Sequence, residues 1–569
     1  MRKLKLMALF FALSGGVVCA QNPPAANPAA DQQNSALNQA IDKIISREGQ
    51  EMASIRRYSP LVETYIQEAK ADKVEGWVPN GDRYFLGRAE LGKGVALESL
   101  AGDTKHGFLH DITGMFNFGV EFLPRGFLQM IYVDTNGLDR KIYNFDYVRR
   151  EFLGDVRTLV FDITPSQKNA KGRFLGRIWV EDQNFTIVRF NGGYTGSSHS
   201  NLYFHFDSWR VNTGPDLWLP AFIYSEENDI KFSVSRSLSF KAQTRLWGYN
   251  LGHSKQEQEL SQVLVESNAP INDKSQQNND VSPLQAQRSW DRQAEDNVVD
   301  RLERMGLVSP QGDVDKVLDT VINNIEVTNN LDIQPEVRCR VLMTSTMESF
   351  NLGHTIILSR GLIDVLPDEA SLGAVLAQEL AHVVLGHRID TGYGFFDEIL
   401  LLDEKQTFHH FDFARTKEED AEASAKAAEL LKNSPYKDQL KTTGLFVAEL
   451  QDRSKQIPNL ISPKLGNALL AQSPVQASTG EKPAPNQIVA LPLGGRVKLD
   501  PWNDKIEMLK AKPAGTISER EKMPFEVTPF MPYLTRVADQ QNPATAQAKP
   551  QQEQKPDQKQ QPKPQPPQR

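Results

Sequence analysis

The segment Gln378-Glu379-Leu380-Ala381-His382 sets residue types at a spacing that can do chemistry. On a helix, Gln378 and His382 stand four apart on one face with Glu379 beside them. In the arrangement His-Glu-x-x-His two imidazoles point at one metal ion while the glutamate activates a water held there. Gln378 occupies the first imidazole position. A carboxamide oxygen is a neutral, weak donor for zinc, so the change is expected to weaken metal binding by roughly several kcal/mol. His382 then has two readings, a zinc ligand or a helix histidine hydrogen-bonded to Glu418 with no metal. Glu379 likewise reads as a general base or as a carboxylate paired with Gln378 or His382.

The elements that must position these groups are legible around them. Leu372, Val375, Leu376, Leu380, Val383 and Val384 recur at helical spacing, Asp368 and Glu369 put negative charge at the N-terminus, and Gly386 helps end the helix. Upstream, Ser349 to Ile363 reads as a strand, a turn and a short helix. Downstream, Glu418 to Leu431 reads as a second helix on which Glu418 and Glu422 stand four apart and can face one site. Other imidazoles are near in sequence. His354, beside the expected edge strand, is the candidate replacement ligand. His387 falls about 140° further round an ideal helix than His382 and points away unless the helix has ended. His409 and His410 read as a solvated loop pair.

Taken together, Arg360-Gly-Leu-Ile363, Leu372-Gly-Ala-Val-Leu-Ala-Gln-Glu-Leu-Ala-His382 and Glu418-Glu-Asp-Ala-Glu422 resemble metallopeptidase family forty-eight. That family includes CAAX prenyl proteases, HtpX-type membrane proteases and periplasmic chaperone-proteases. The resemblance covers Asp313 to Leu470. It implies a zincin-like domain with zinc as cofactor, His382 and Glu418 as metal ligands, Glu379 as general base and Glu422 in the outer shell. It also implies that Thr355, Ile356, Ile357 and Leu358 form an edge strand able to take a peptide by β-augmentation. Three departures stand out: Gln378 for histidine, Glu422 for aspartate, and a lead-in, Glu348-Ser-Phe-Asn351, that keeps only Phe350 of the family pattern.

The rest of the chain divides by composition and period. Residues 1–20 read as a signal peptide, with Arg2, Lys3 and Lys5 before an apolar Leu6–Leu13 core. Cleavage after Ala20 competes with lipidation at Cys19, and either makes the protein exported, with a periplasmic location expected. A spacer and N-terminal helical segment fill 21–75, the helical pattern running from about Ala36 to Lys70. Residues 76–252 carry short β-branched and aromatic runs with Asn136-Gly137 and Gly192-Gly193 turns, an antiparallel β domain. Its strand pattern, ending in Leu217-Trp-Leu-Pro220, resembles LolA-like lipoprotein carriers. That implies a half-barrel whose concave face would suit an acyl chain or another apolar partner, or else a sheet filled by its own aromatics. Phe204, Phe206, Trp209, Trp218 and Phe222 read as sheet core first and as a ligand groove second. A linker (253–297), the metallopeptidase-like domain (298–472), a C-terminal extension (473–537) and a disordered Gln/Pro-rich tail (538–569) follow. His106 and His110 have no flanking helix to gather them.

The 569 residues carry 64 Lys plus Arg against 72 Asp plus Glu, a net charge of −8. That balance gives no electrostatic reason for nucleic-acid binding. No phosphate-binding glycine loop, nucleophile elbow or Cys-x-x-Cys is present. The two cysteines, Cys19 and Cys339, exclude a disulfide scaffold. The expected fold class is α+β. The leading functional expectation is a pseudo-peptidase that binds unfolded or envelope protein segments. Its alternatives are an active zinc endopeptidase in envelope quality control and a carrier of lipidated or apolar cargo.

Overall fold

A computed structural model describes residues 28–72, 76–92, 96–100, 124–167, 170–196, 204–233, 236–249, 283–387, 404–469, 497–500, 505–508, 527, 529 and 531–537. The leader with Cys19, His106 and His110, most of the linker, and the 538–569 tail lie outside the described residues.

Helix α1 (Pro28–Ile55) precedes strands β1 (Leu61–Asp72), β2 (Gly76–Glu90) and β3 (Ala96–Ser99), and a short helix α2 (Pro124–Gln129). Seven strands follow: β4 (Tyr143–Leu153), β5 (Val156–Pro165), β6 (Phe174–Glu181), β7 (Ile187–Tyr194), β8 (Phe206–Gly214), β9 (Leu217–Ser233) and β10 (Arg236–Trp247). They form one ten-stranded sheet in the order β3-β2-β1-β10-β9-β8-β7-β6-β5-β4, antiparallel throughout. The helical expectation for 36–70 therefore holds only to Ile55. Leu61, Val62, Tyr65 and Ile66 are buried on the two faces of β1, where pairing with β2 and β10 overrides any local helical bias.

Strand period sorts the side chains. Val62, Ile66, Phe174, Ile178, Val180, Phe190 and Phe206 face an inner core filled by Ile41, Ile44, Met52 and Ile55 of α1 and by Phe127–Val133. Tyr65, Trp179, Trp209, Trp218 and Phe222 face outward into a core continuous with the following domain. The five aromatic positions read as sheet core pack into cores, on both faces of the sheet. Phe204 and Phe206 pack inward, and the two tryptophans and Phe222 outward. One buried ion pair ties α1 to the sheet and another joins neighbouring strands within it. Arg210 forks onto Glu48 of α1 at 2.7 and 2.8 Å. Arg189 forks onto Asp207 between the rings of Trp179 and Trp209.

The second domain contains α3 (Pro283–Arg304), α4 (Asp313–Thr328), β11 (Arg338–Leu342), β12 (Glu348–Leu352), β13 (Thr355–Ser359), α5 (Arg360–Val365) and α6 (Glu369–Leu385). It continues with α7 (Glu404–His410), α8 (Lys417–Asn433), α9 (Leu440–Arg453), α10 (Pro458–Ile461) and β14 (Asn467–Ala468), and a hairpin of β15 (Val497–Asp500) and β16 (Lys505–Met508) lies beyond. Helix α3 begins inside the segment expected to be linker up to residue 297. Its Ala294, Val298, Val299 and Leu302 are buried, so apolar contact orders it.

The modules dock through buried polar anchors. Glu63 of β1 accepts from Ser345 N at 2.6 Å, Ser345 Oγ at 2.7 Å and Tyr84 Oη at 2.7 Å. Asp82 accepts from the backbone N–H of Asn459 and Leu460 at 3.0 and 2.8 Å. The end of the C-terminal extension returns to the sheet: Val527 N donates to Gln67, Asp155 N to Leu534 O, and Val537 N to Asn212. Among the described residues no helix is long and apolar enough to cross a membrane.

Candidate active site

Helix α6 carries the motif. Asp368 caps it by accepting from Ser371 N at 2.8 Å, and Gly386 ends it in the left-handed region at φ 72°, where a side chain would be strained. The helix is buried nearly all round: Gln378, Glu379 and His382 are 1%, 0% and 0% exposed. Such burial demands partners for every polar atom.

Each group has some. Glu379 Oε1 accepts from Ser349 Oγ of β12 at 2.7 Å. Gln378 Nε2 donates to the Asp420 backbone carbonyl at 3.3 Å. His382 Nε2 lies 3.5 Å from Asp420 Oδ1, and its Nδ1 is 2.9 Å from His387 Nδ1. Four buried atoms, Gln378 Oε1, Glu379 Oε2, His382 Nε2 and Asp420 Oδ1, make no hydrogen bond. Burial pushes the Glu379 carboxyl above its usual range, partly offset by His382, the Ser349 hydrogen bond and Arg415. Burial also lowers the Arg415 guanidinium against the pull of Glu379.

The expected residues sort differently from the motif reading. Glu379, His382 and Gln378 come together. Glu418 does not: it is exposed, and the carboxylate that reaches His382 from α8 is Asp420. The burial stripe of α8 runs Asp420, Ala423, Ala427, Leu430 and Leu431, at helical spacing, and both Glu418 and Glu422 fall off it. Glu422 instead lies 3.4 Å from His387 Nε2. His387 is brought back onto His382 because the helix has ended: its N–H bonds His382 O at 3.0 Å past Gly386. His354 is not a replacement ligand in this arrangement. It sits in the β12–β13 turn with Nδ1 3.7 Å from Glu295. Thr355, Ile356, Ile357 and Leu358 do not form an edge. β13 lies between β11, parallel, and β12, antiparallel, and all four residues are buried.

The free side of β12 is taken by this chain's own β14, with Glu348 opposite Ala468 and Ser349 opposite Asn467. Glu348 Oε2 accepts from the N–H of Lys464, Leu465 and Gly466 at 2.8–2.9 Å, which seats the segment. A Cβ on Gly466 would come within 2.4 Å of Phe350 Cδ1 and 2.7 Å of Ser349 O, so only glycine allows this approach. Sequence reading missed Asp420, Ser349 and β14. The Asp420 signal was present in the alanine and leucine stripe; two-residue β14 left none.

A divalent cation fits the unpaired atoms in place. Gln378 Oε1 and Asp420 Oδ1 are buried acceptors without a donor, His382 Nε2 joins them when the ring proton sits on Nδ1, and a cation satisfies acceptors. As a donor set, one imidazole, one carboxylate and one carboxamide hold zinc more weakly than two imidazoles and a carboxylate. Among the described residues no group of three or more His, Cys, Asp or Glu side chains is gathered for a metal.

Comparison with known proteins adds the following. Residues 310–430 match the family model described as Peptidase family M48. No curated protein matches the chain. A solved structure, a LolA superfamily protein from Nitrosomonas europaea, aligns at 12% identity over 36% of this chain and 93% of its own, with a TM-score of 0.18.

Proposed function

With a family forty-eight peptidase domain at residues 310–430 as premise, we propose that this chain is an exported envelope protein whose peptidase domain binds protein segments and has lost most or all hydrolytic power. The observation that carries this reading is Gln378. It stands in the first ligand position, fully buried, with its amide committed to the Asp420 carbonyl. The occupation of β12 by β14 points the same way, since the strand beside Glu379 is already paired. A partner segment binds in this reading by displacing β14. The test is binding of unfolded casein by the full chain, which persists in chelator and in Glu379→Gln; binding lost under either condition refutes it.

The second reading is a working zinc endopeptidase, favoured by the four unpaired buried atoms. Gln378, His382 and Asp420 would hold the ion, which would supply Lewis acidity toward water and a peptide carbonyl. Glu379, oriented by Ser349, then takes the proton from the attacking water and passes it to the leaving amine. Chelator-sensitive casein cleavage that Glu379→Gln abolishes establishes this second reading over the first. The carrier reading draws on the β domain, but its inner face is filled by α1 and Phe127–Val133.

A further inference from the structure

His387 belongs to none of the expected catalytic positions, yet the end of α6 sets it against His382 with Nδ1 facing Nδ1 at 2.9 Å. The rings meet edge to face, 5.1 Å between centroids. A neutral imidazole has one N–H and one lone pair, so this contact needs one ring to donate and the other to accept. Two neutral arrangements exist, and each leaves one ring lone pair facing a carboxylate. If His387 donates from Nδ1, His382 keeps an Nε2–H toward Asp420 Oδ1 at 3.5 Å, while the His387 Nε2 lone pair faces the Glu422 carboxylate at 3.4 Å, acceptor against acceptor. If His382 donates from Nδ1, His387 turns an Nε2–H toward Glu422 and every atom of that pair is matched. The second arrangement leaves the His382 Nε2 lone pair facing Asp420 Oδ1 at 3.5 Å, with Gln378 Oε1 also unpaired. A cation among these three acceptors satisfies all of them, so the second arrangement is the one that a bound cation selects.

We propose that Glu422 and His387 are positioning residues that hold the proton of His382 on Nδ1 and thereby turn its Nε2 lone pair toward Asp420 and Gln378 as a cation donor. The proposal rests on the cation-holding reading of Gln378, His382 and Asp420. It gives this chain an outer support for the one imidazole it retains. A hydrogen-bond partner on the far nitrogen orients a ligating ring and raises its basicity, and its loss typically costs 10–100-fold in metal affinity.

The test uses the full chain, stripped with chelator, and cobalt(II) alone as probe, titrated by calorimetry. His387→Leu should weaken cobalt binding about 10–100-fold. His387→Asn, whose carbonyl oxygen can accept from His382 Nδ1–H, should recover most of it, and Glu422→Gln should lose less than His387→Leu. In parallel, nitrogen chemical shifts of the ¹⁵N-histidine-labelled, metal-free chain report which nitrogen of His382 bears the proton. Nδ1 in the native chain, with that signature lost in His387→Leu, supports the proposal. Unchanged cobalt affinity in His387→Leu, or a proton on Nε2 of His382 in the native chain, overturns it. A native chain that binds no cobalt but keeps the proton on Nδ1 refutes the cation reading and leaves the positioning pair standing.

Discussion

Asp420 Oδ1 lies 3.5 Å from His382 Nε2, across the contact of two helices, whereas Glu418 two residues earlier points to solvent. A shift of two positions on α8 turns a side chain by about 200°, so the two acids cannot share one site. The carboxylate that α8 brings to His382 is therefore the shorter one, Asp420.

This relationship is directly testable by cation uptake. Asp420→Ala should remove cobalt binding measurable at micromolar concentration, while Glu418→Ala leaves the affinity within a factor of two. A structural zinc site supplies roughly 10–16 kcal/mol over four donors, so one donor is worth about 3 kcal/mol, near a hundredfold in Kd. Equal losses in both variants would return the ligand role to Glu418.

Restoring the missing imidazole should act in the opposite direction. Gln378→His should tighten zinc binding by about a hundredfold on the same arithmetic, read as zinc per chain by elemental mass spectrometry. His382→Ala in that background should empty the site. Near-unit zinc in the native chain would show instead that the carboxamide suffices.

Buried Glu379 makes the stability of the cation-free chain depend on pH. Its folded-state pKa stands above the ordinary 4.5, raised by burial. A group raised in this way contributes stability that is complete below the unfolded pKa and is lost as pH rises through the folded value. Glu379→Gln keeps an oxygen for Ser349 Oγ and removes the titration. The variant should unfold at a higher temperature than the native chain at pH 7, with the gap closing as pH falls to 4.5. A gap that widens toward acid would contradict the burial argument.

The seat of β14 depends on one carboxylate. Glu348→Gln leaves the N–H groups of Lys464, Leu465 and Gly466 without their charged acceptor, a loss of about 3 kcal/mol in local stability. Amide hydrogen exchange at Asn467 and Ala468 should accelerate about a hundredfold. Casein binding should rise as well if partners enter by displacing β14.

In the β domain, Glu48→Ala strands Arg210, which is buried without exposure. Breaking a buried pair from one side costs about 3–5 kcal/mol. Denaturant unfolding followed by tryptophan fluorescence should show that loss. A change under 1 kcal/mol would mean that Glu51, also close to Arg210, takes over the charge.

Much of this molecule was readable without coordinates. The span and caps of α6 follow from Asp368, the apolar spacing and Gly386, because helix ends and helix faces are local properties. The antiparallel β domain follows from alternating apolar residues and turn dipeptides, and the Gln378-Glu379-x-x-His382 geometry from helical period alone. Period also misled where it was read from acids. Glu418 and Glu422 share a face, but the apolar residues, not the charges, say which face is inward.

What tertiary structure alone decided lies between elements distant in sequence. The return of His387 onto His382 needed the chain to reverse at Gly386. The phase of α8 against α6 chose Asp420. β13 became an interior strand because β11 paired on one side of it and β12 on the other, and β14, more than a hundred residues later, closed the edge of β12. Local composition determines which face of an element is apolar. It does not determine which partner covers that face, because many pairings bury similar area and only the assembled core selects one.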